Sequence, residues 1–162
     1  MSSFTKPVIE LIDGEDNAML KSEMIYCVGA EGSEKKILVP PGFIFDGASI
    51  PRIFWTLIGH PLQAEYRQAA CLHDWLYATE YYSWAGVTYK RLMKASENRK
   101  ECDWVFLEAL EILGLSWIKR NIIWGAVRCA GSNVWDTHTE ITKQEHKQLY
   151  YDYIKYRGTN IP

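Results

Sequence analysis

One histidine, three aspartates and a tyrosine are the residues of this 162-residue chain whose types and spacing could do chemistry. His73 and Asp74 are adjacent within Ala69-Ala70-Cys71-Leu72-His73-Asp74-Trp75-Leu76-Tyr77, a run that is otherwise largely apolar. On a helix, residues four apart share a face and residues one apart diverge by about 100°. His73 and Tyr77 therefore point the same way, and Asp74 points sideways. Asp103 lies in a second helix-forming run, Lys100-Glu101-Cys102-Asp103-Trp104-Val105-Phe106. If the two helices pack antiparallel, Asp103 faces His73 and Tyr77. A carboxylate there would accept one imidazole N–H, fix the tautomer and leave the other ring nitrogen as a base towards water, while Tyr77 donates to the same carboxylate. Asp46, followed by Gly47, sits in a loop between strand and helix, where a carboxylate and backbone carbonyls could join Asp74 around a hard cation such as calcium. Each residue also has a plainer reading. His73 could be a core histidine, Asp46-Gly47 a common turn with Ser49 capping the next helix, and Asp103 the partner of Arg99 one turn away.

The elements that must position these groups follow from periodicity and breakers. Residues 8–12, 23–28, 36–39 and 43–45 read as short strands separated by the Asp13-Gly14, Gly29-to-Ser33 and Pro40-Pro41-Gly42 turns. Ser49 and Pro51 begin a short helix over 50–57 that ends near Gly59, and Pro61 begins the long helix carrying His73, expected to reach Tyr82. Residues 83–95 are ambiguous between an irregular excursion and a partial helix. Ser96 is expected to cap the helix of Asp103, which ends at Gly114. Ser116 caps a third over 117–130, ended by Gly131, and Thr142 with Glu145 forms a capping box for a last helix to Arg157, stopped by Gly158. The fold class expected is α+β and helix-dominated: a small N-terminal antiparallel sheet, then antiparallel helices. The organisation expected is one domain over 1–162, with a strand region 1–45, a helical core 49–131 holding the site and a C-terminal helix 142–158.

Composition narrows the function classes. Hydrophobic residues make up 48% and charged residues 23%, the balance of a soluble globular protein, with seven Trp and ten Tyr to fill a core, line a pocket or meet an interface. Eighteen basic and twenty acidic residues are interspersed, for a net charge of -2, so no electrostatic footprint for nucleic acid is present. The four cysteines, Cys27, Cys71, Cys102 and Cys129, form no CxxC pair and read as reduced, mostly buried thiols. No signal peptide or membrane span is read, so a cytoplasmic location is the expectation.

Two resemblances attach to these residues. Pro41-Gly42-Phe43-Ile44-Phe45-Asp46-Gly47-Ala48-Ser49-Ile50-Pro51-Arg52, the His73-Asp74 helix, and Arg99 with Asp103 and Phe106 resemble a family of phage and prophage proteins catalogued as a domain of unknown function, over about residues 36 to 131. That resemblance implies a viral origin, action in the infected host cell or in the virion, and no stated activity. His73-Asp74-x-x-Tyr77 followed by Cys102-Asp103 is also similar to the signature of secreted and viral phospholipases A2. That similarity implies a phospholipase A2-like helix pair in which His73 deprotonates the attacking water, Asp103 and Tyr77 hold His73, and Asp74, Asp46 and Gly47 bind Ca2+, which stabilises the oxyanion. The partners implied are a phospholipid or other ester, at a membrane interface. The chain departs from the signature in that Cys71 lies two residues before His73, the glycine-rich calcium loop is replaced by Asp46-Gly47-Ala48-Ser49, and the disulfide network is missing.

Two other readings of the same residues stand beside this one. His60, His73-Asp74 and Asp103 occur in the order used by HD-type metal-dependent phosphohydrolases, where His and Asp jointly hold a transition metal. A non-enzymatic phage virion or host-interaction protein would keep the acid–histidine pair as structure and present its aromatics, Trp55, Trp75, Tyr81, Tyr82 and Trp84 among them, to a partner. His138 and His146 read as solvated.

Overall fold

The structure, a computed structural model, describes residues 4–12, 17–29, 33, 35–47, 50, 52–60, 62, 65–79, 81–84, 92–94, 99–137 and 140–159. Two antiparallel sheets come from short strands. β1 (Ile9–Leu11), β2 (Ala18–Leu20) and β5 (Ile44–Phe45) form one in the order β1-β2-β5. β3 (Met24–Cys27), β4 (Lys35–Val39), β6 (Tyr81–Trp84) and β7 (Leu92–Lys94) form the other in that order. Alternation fixes the register: Ala18 and Leu20 are buried and Met19 less so, and the pairing Ala18↔Phe45 brings two inward-facing residues opposite one another. Gly42, at φ 89°, turns the chain out of the Pro40-Pro41 segment, and its N–H donates to the Leu20 carbonyl at 2.7 Å. That bond aims the 43–47 segment, and with it Gly47, across the sheet.

After a 3-10 turn (Arg52–Phe54) and the short α1 (Trp55–Ile58), four helices follow: α2 (Arg67–Thr79), α3 (Arg99–Ile112), α4 (Trp117–Thr137) and α5 (Glu140–Thr159). α2 is the central one. From Ala69 to Thr79 every residue but Asp74 is buried, the pattern of a helix walled in on all sides. Phe43 meets Trp75 edge-on at 5.1 Å from the sheet side, and Tyr150 and Ile154 of α5 join the same core. His73 approaches Phe106, while the far end of α2 at Tyr77 approaches Arg99, so α2 and α3 run antiparallel. Trp104 meets Trp124 and Glu111 pairs with Arg120, so α3 and α4 do too.

The expected α+β, helix-dominated class and the N-terminal antiparallel strands are what the structure has, with differences of detail; the short helix expected over 50–57 is a 3-10 turn at Arg52–Phe54 followed by α1. β2 is an additional strand; its three residues are too short to announce themselves and it is held by partners on both sides. α2 begins at Arg67 rather than Pro61, residues 62, 65 and 66 being turn, and it stops at Thr79 rather than Tyr82, because residues 81–84 pair with β4 and with β7, resolving the ambiguous 83–95 segment in part as strand. α4 continues through Gly131 to Thr137, so that glycine is not a stop, whereas α5 ends at Thr159, one residue past Gly158. α5 also begins at Glu140, ahead of the expected Thr142 cap. The Ser116 cap is present: its hydroxyl accepts the Lys119 N–H at 3.3 Å and its carbonyl the Arg120 N–H at 3.0 Å. The expected caps Ser49 and Ser96 lie outside the described residues.

Candidate functional site

The site lies where α2, α3 and α4 meet, and its centre is a carboxylate. Asp103, on α3, has no solvent exposure and accepts three hydrogen bonds. Its Oδ1 is 2.9 Å from His73 Nε2 and takes the Tyr77 hydroxyl at 2.6 Å, and its Oδ2 takes Arg128 Nη1, from α4, at 2.6 Å. Arg99 Nη1 stands 4.0 Å from the same Oδ2, one helical turn back along α3. The three residues read from sequence as a base and its holders, His73, Tyr77 and Asp103, are thus brought together, as the four-residue spacing on α2 requires.

Burial and bonding pull the ionisation of these groups in opposite directions. Loss of water raises the Asp103 pKa, but the hydrogen bonds from His73, Tyr77 and Arg128 and the nearby imidazole outweigh it, and the carboxyl ends below its ordinary value. For His73, burial lowers the pKa, yet its contacts with Asp103 and Asp74 overcome that and leave it raised. The Tyr77 hydroxyl is pushed far up by burial and by the Asp103 charge, so it stays a donor. Cys71, two residues before His73, is likewise held as a thiol by burial and then by the Asp74 charge.

His73 Nδ1 is buried and has no hydrogen-bond partner among the described residues. With Nε2 turned to Asp103, Nδ1 points towards Asp74, whose Oδ1 is 3.8 Å away and beyond hydrogen-bond length. Tyr77 and Phe106 pack on the ring at centroid distances of 4.0 and 4.8 Å and hold its plane. Asp74 is the less buried edge of the site, with 14% of its side chain exposed, and its Oδ2 accepts the Gly47 N–H at 3.0 Å. Gly47 has φ 102°, a conformation that side chains resist, so glycine there lets the turn bring its amide onto the carboxylate. Asp46, in the same turn, is exposed.

The residues expected to hold calcium are therefore only partly assembled. Asp74 and Gly47 are in contact, but the contact is an N–H to one carboxylate oxygen, and Asp46 is exposed. Among the described residues no group of three His, Cys, Asp or Glu side chains converges as a metal site. A hard cation takes six to eight oxygens, and the described arrangement does not present such a set. His60 does not join His73 either. Its Nδ1 accepts the Leu62 N–H at 3.3 Å and its ring packs on Trp55 at 4.3 Å, so the four residues of an HD-type centre are not gathered. His146, expected in solvent, instead lies edge-on to Phe43 at 5.4 Å and to Trp75 at 6.3 Å; His138 lies outside the described residues. The cysteines are free thiols, three buried and Cys129 exposed.

Sequence reading missed Arg128 and Gly131. Arg128 is one of three basic residues on α4, with Lys119 and Arg120, and nothing local marks it as the partner of an aspartate 25 residues away. Gly131 reads as a helix stop but serves close approach: a Cβ there would lie 2.8 Å from the Tyr77 hydroxyl and 3.0 Å from Arg99 Nη1. The i, i+3 spacing of Arg128 and Gly131, a basic and a minimal residue on one helix face, is the signal that could have been used.

Comparison with known proteins places this site within a family. Residues 18–127 match the model described as "Protein of unknown function (DUF1353)", a span that includes Asp46, His73, Asp74, Tyr77 and Asp103 and ends one residue before Arg128. A 42-residue segment is 45% identical to the "Uncharacterized protein y4jT" of Sinorhizobium fredii, covering 26% of this chain and 12% of that protein. The chain thus matches about an eighth of that relative's length. No solved structure matches the chain significantly.

Proposed function

The chain belongs to the DUF1353 family of proteins of unknown function, and from the site built within the matched segment we propose that it is a hydrolase of carboxylic esters with a phospholipase A2-like use of His73 and Asp103. One observation carries the reading: a fully buried imidazole whose Nε2 is held by Asp103 while its Nδ1, aimed at the less buried edge, has no partner among the described residues. A purely structural buried histidine satisfies both nitrogens, because an unmade buried hydrogen bond costs about 1–3 kcal/mol. A base needs one nitrogen free.

In this reading Asp103 and Tyr77 hold His73 in the tautomer with the proton on Nε2. Nδ1 takes a proton from water as that water attacks the ester carbonyl, and the imidazolium is stabilised by Asp103 until it returns the proton to the leaving alcohol. With Asp103 paired to Arg128, the added charge on His73 is met by a carboxylate already in place, without reorganisation. The substrate side is the Asp74 edge. Since His73 has no solvent exposure, turnover requires the 46–47 turn to swing off Asp74 and break the 3.0 Å amide contact. Calcium belongs to the proposal as an ion that Asp74 and oxygens of the 46–47 turn would hold once that turn moves; no step above depends on it. A phospholipid substrate, a membrane interface and a phage or prophage origin are parts of the same reading and rest on the motif resemblances. Among the described residues no helix is long and apolar enough to cross a membrane. Complete burial of His73 favours one competing reading, a non-enzymatic virion or host-interaction protein whose buried cluster only holds three helices together.

Mass spectrometry of products from phosphatidylglycerol vesicles and from soluble short-chain esters, each with calcium and with chelator, tests the proposal. Release of a free carboxylic acid by the parent and not by His73→Asn supports it. Phosphate-ester cleavage with acyl chains intact would refute it, as would no cleavage of any of these substrates.

A further inference from the structure

We infer that Arg128 is the positioning residue of the His73–Asp103 pair, an inference that rests on the hydrolase reading for its kinetic consequence but not for its structural one. A carboxylate buried between two helices can rotate about its last bond and exchange its oxygens between partners. Here the oxygens are divided: among the described residues Oδ1 serves α2 alone, through His73 and Tyr77, and Oδ2 is taken by Arg128 of α4 at 2.6 Å. Without that contact nothing in the cluster except Arg99, at 4.0 Å, would distinguish Oδ2 from Oδ1.

The backbone at Arg128 is fixed from the other side. Arg99 points both Nη1 and Nη2 at the Arg128 carbonyl, each at 3.3 Å, so the α3 arginine braces the α4 residue that pins the α3 aspartate. One turn on, Gly131 leaves the room in which the Tyr77 hydroxyl and Arg99 Nη1 lie. The Arg128–Gly131 turn of α4 therefore forms the third wall of the site. A charge-assisted bond of this length is roughly twice as strong as a neutral one. With Oδ2 pinned, Oδ1 stays in line with Nε2, which keeps the proton on Nε2 and Nδ1 bare. Arg128 touches no reacting atom in this scheme and acts through Asp103.

The test reads the imidazole directly. Ring-15N histidine spectra of the full chain, assigned with His73→Asn, are recorded for the parent, Arg128→Ala and Arg128→Gln, with and without millimolar guanidinium. At alkaline pH, above the raised His73 pKa, the parent is expected to show His73 as one neutral tautomer, protonated on Nε2. Arg128→Ala is expected to show a mixture of tautomers that guanidinium, and not equal sodium chloride, returns towards the parent. If Arg128→Ala does not fold, Arg128→Gln, which keeps an N–H donor without the charge, decides in its place and is expected to show the mixture too. A folded variant at 128 that keeps the single parent tautomer overturns the inference. On whichever ester the parent cleaves, kcat of the variant should fall about 10- to 100-fold with KM changed less than about threefold, since an ångström of misplacement in a catalytic group costs rate rather than binding. A normal tautomer with lost activity would overturn the inference and leave the hydrolase reading standing; a disturbed tautomer in a chain without esterase activity would uphold it and remove the hydrolase reading.

Discussion

Replacing Asp103 by asparagine removes the charge at the meeting point of three helices while keeping the volume, and its cost can be worked from the contacts. Three hydrogen bonds to a charged group at about 1.5–3 kcal/mol each would sum to roughly 4.5–9 kcal/mol. The sum overshoots, because the Arg128 side chain is 30% exposed and regains water when its partner is lost. The relevant figure is that for breaking a buried pair by removing one member, about 3–5 kcal/mol. With a urea slope of about 2 kcal/mol per M, the midpoint of unfolding should fall by roughly 1.5–2.5 M. The pH dependence follows from the direction of each shift. Asp103 is lowered in the folded state, so its contribution is present above the ordinary carboxylate value and is lost as pH falls through the lowered folded one. His73 is raised, so its contribution is present below the ordinary imidazole value and is lost as pH rises through the raised one. Both operate between about pH 4 and 6.5, the ordinary values of the two groups. The gap between parent and Asp103→Asn should therefore be widest there, narrow progressively below pH 4 and narrow partly at alkaline pH, where the His73 charge is lost while the Arg128 and Tyr77 contacts persist. Urea titrations of both proteins from pH 3 to 9 measure it. A midpoint shift under about 0.5 M at pH 5.5, or one equal at pH 5.5 and pH 3, would refute the reasoning.

The glycines supply the other stability predictions. Gly131→Ala should be less stable than Gly125→Ala by about 1–3 kcal/mol in thermal or urea unfolding, because both gain the same helix propensity and only the former places a methyl against Tyr77 and Arg99, Gly125 facing open space. Equal stabilities would show that the Tyr77 hydroxyl yields freely. Gly47→Ala should cost about 1–2 kcal/mol from its φ of 102°. It should also weaken the amide contact to Asp74, read as faster hydrogen exchange at residue 47; unchanged exchange would count against that contact closing the site.

What the sequence made legible was local. The i, i+4 relation of His73 and Tyr77 and the apolar run around them are properties of one helix, whereas the antiparallel neighbour bearing Asp103 entered the sequence reading as a condition, which the structure meets. The adjacent Asp74 had to diverge from His73, and it does, to Gly47. What was not legible depends on partners distant in the chain. β6 forms because Ser83 and Trp84 meet Lys36 and Lys35, and β2 because Ala18 and Met19 meet Phe45 and Ile44; in both cases the ladder and not the strand's own propensity decides. Arg128 was invisible because an arginine on a helix is normally solvated, and Gly131 was misleading because the same residue type ends helices and permits close contact. His146 was misplaced because its sequence neighbours are polar, whereas Phe43 and Trp75 come from other elements.

The central claim is that His73 Nδ1 is a working base, and the rate of carboxylic ester hydrolysis by the parent relative to His73→Asn tests it most directly, with folding of both confirmed by matching circular dichroism. General base catalysis contributes about 10²- to 10⁴-fold, so the account predicts a loss of that size in kcat with the product chemistry unchanged. A parent with no hydrolysis above buffer, or a His73→Asn variant that keeps the parental rate, would contradict it.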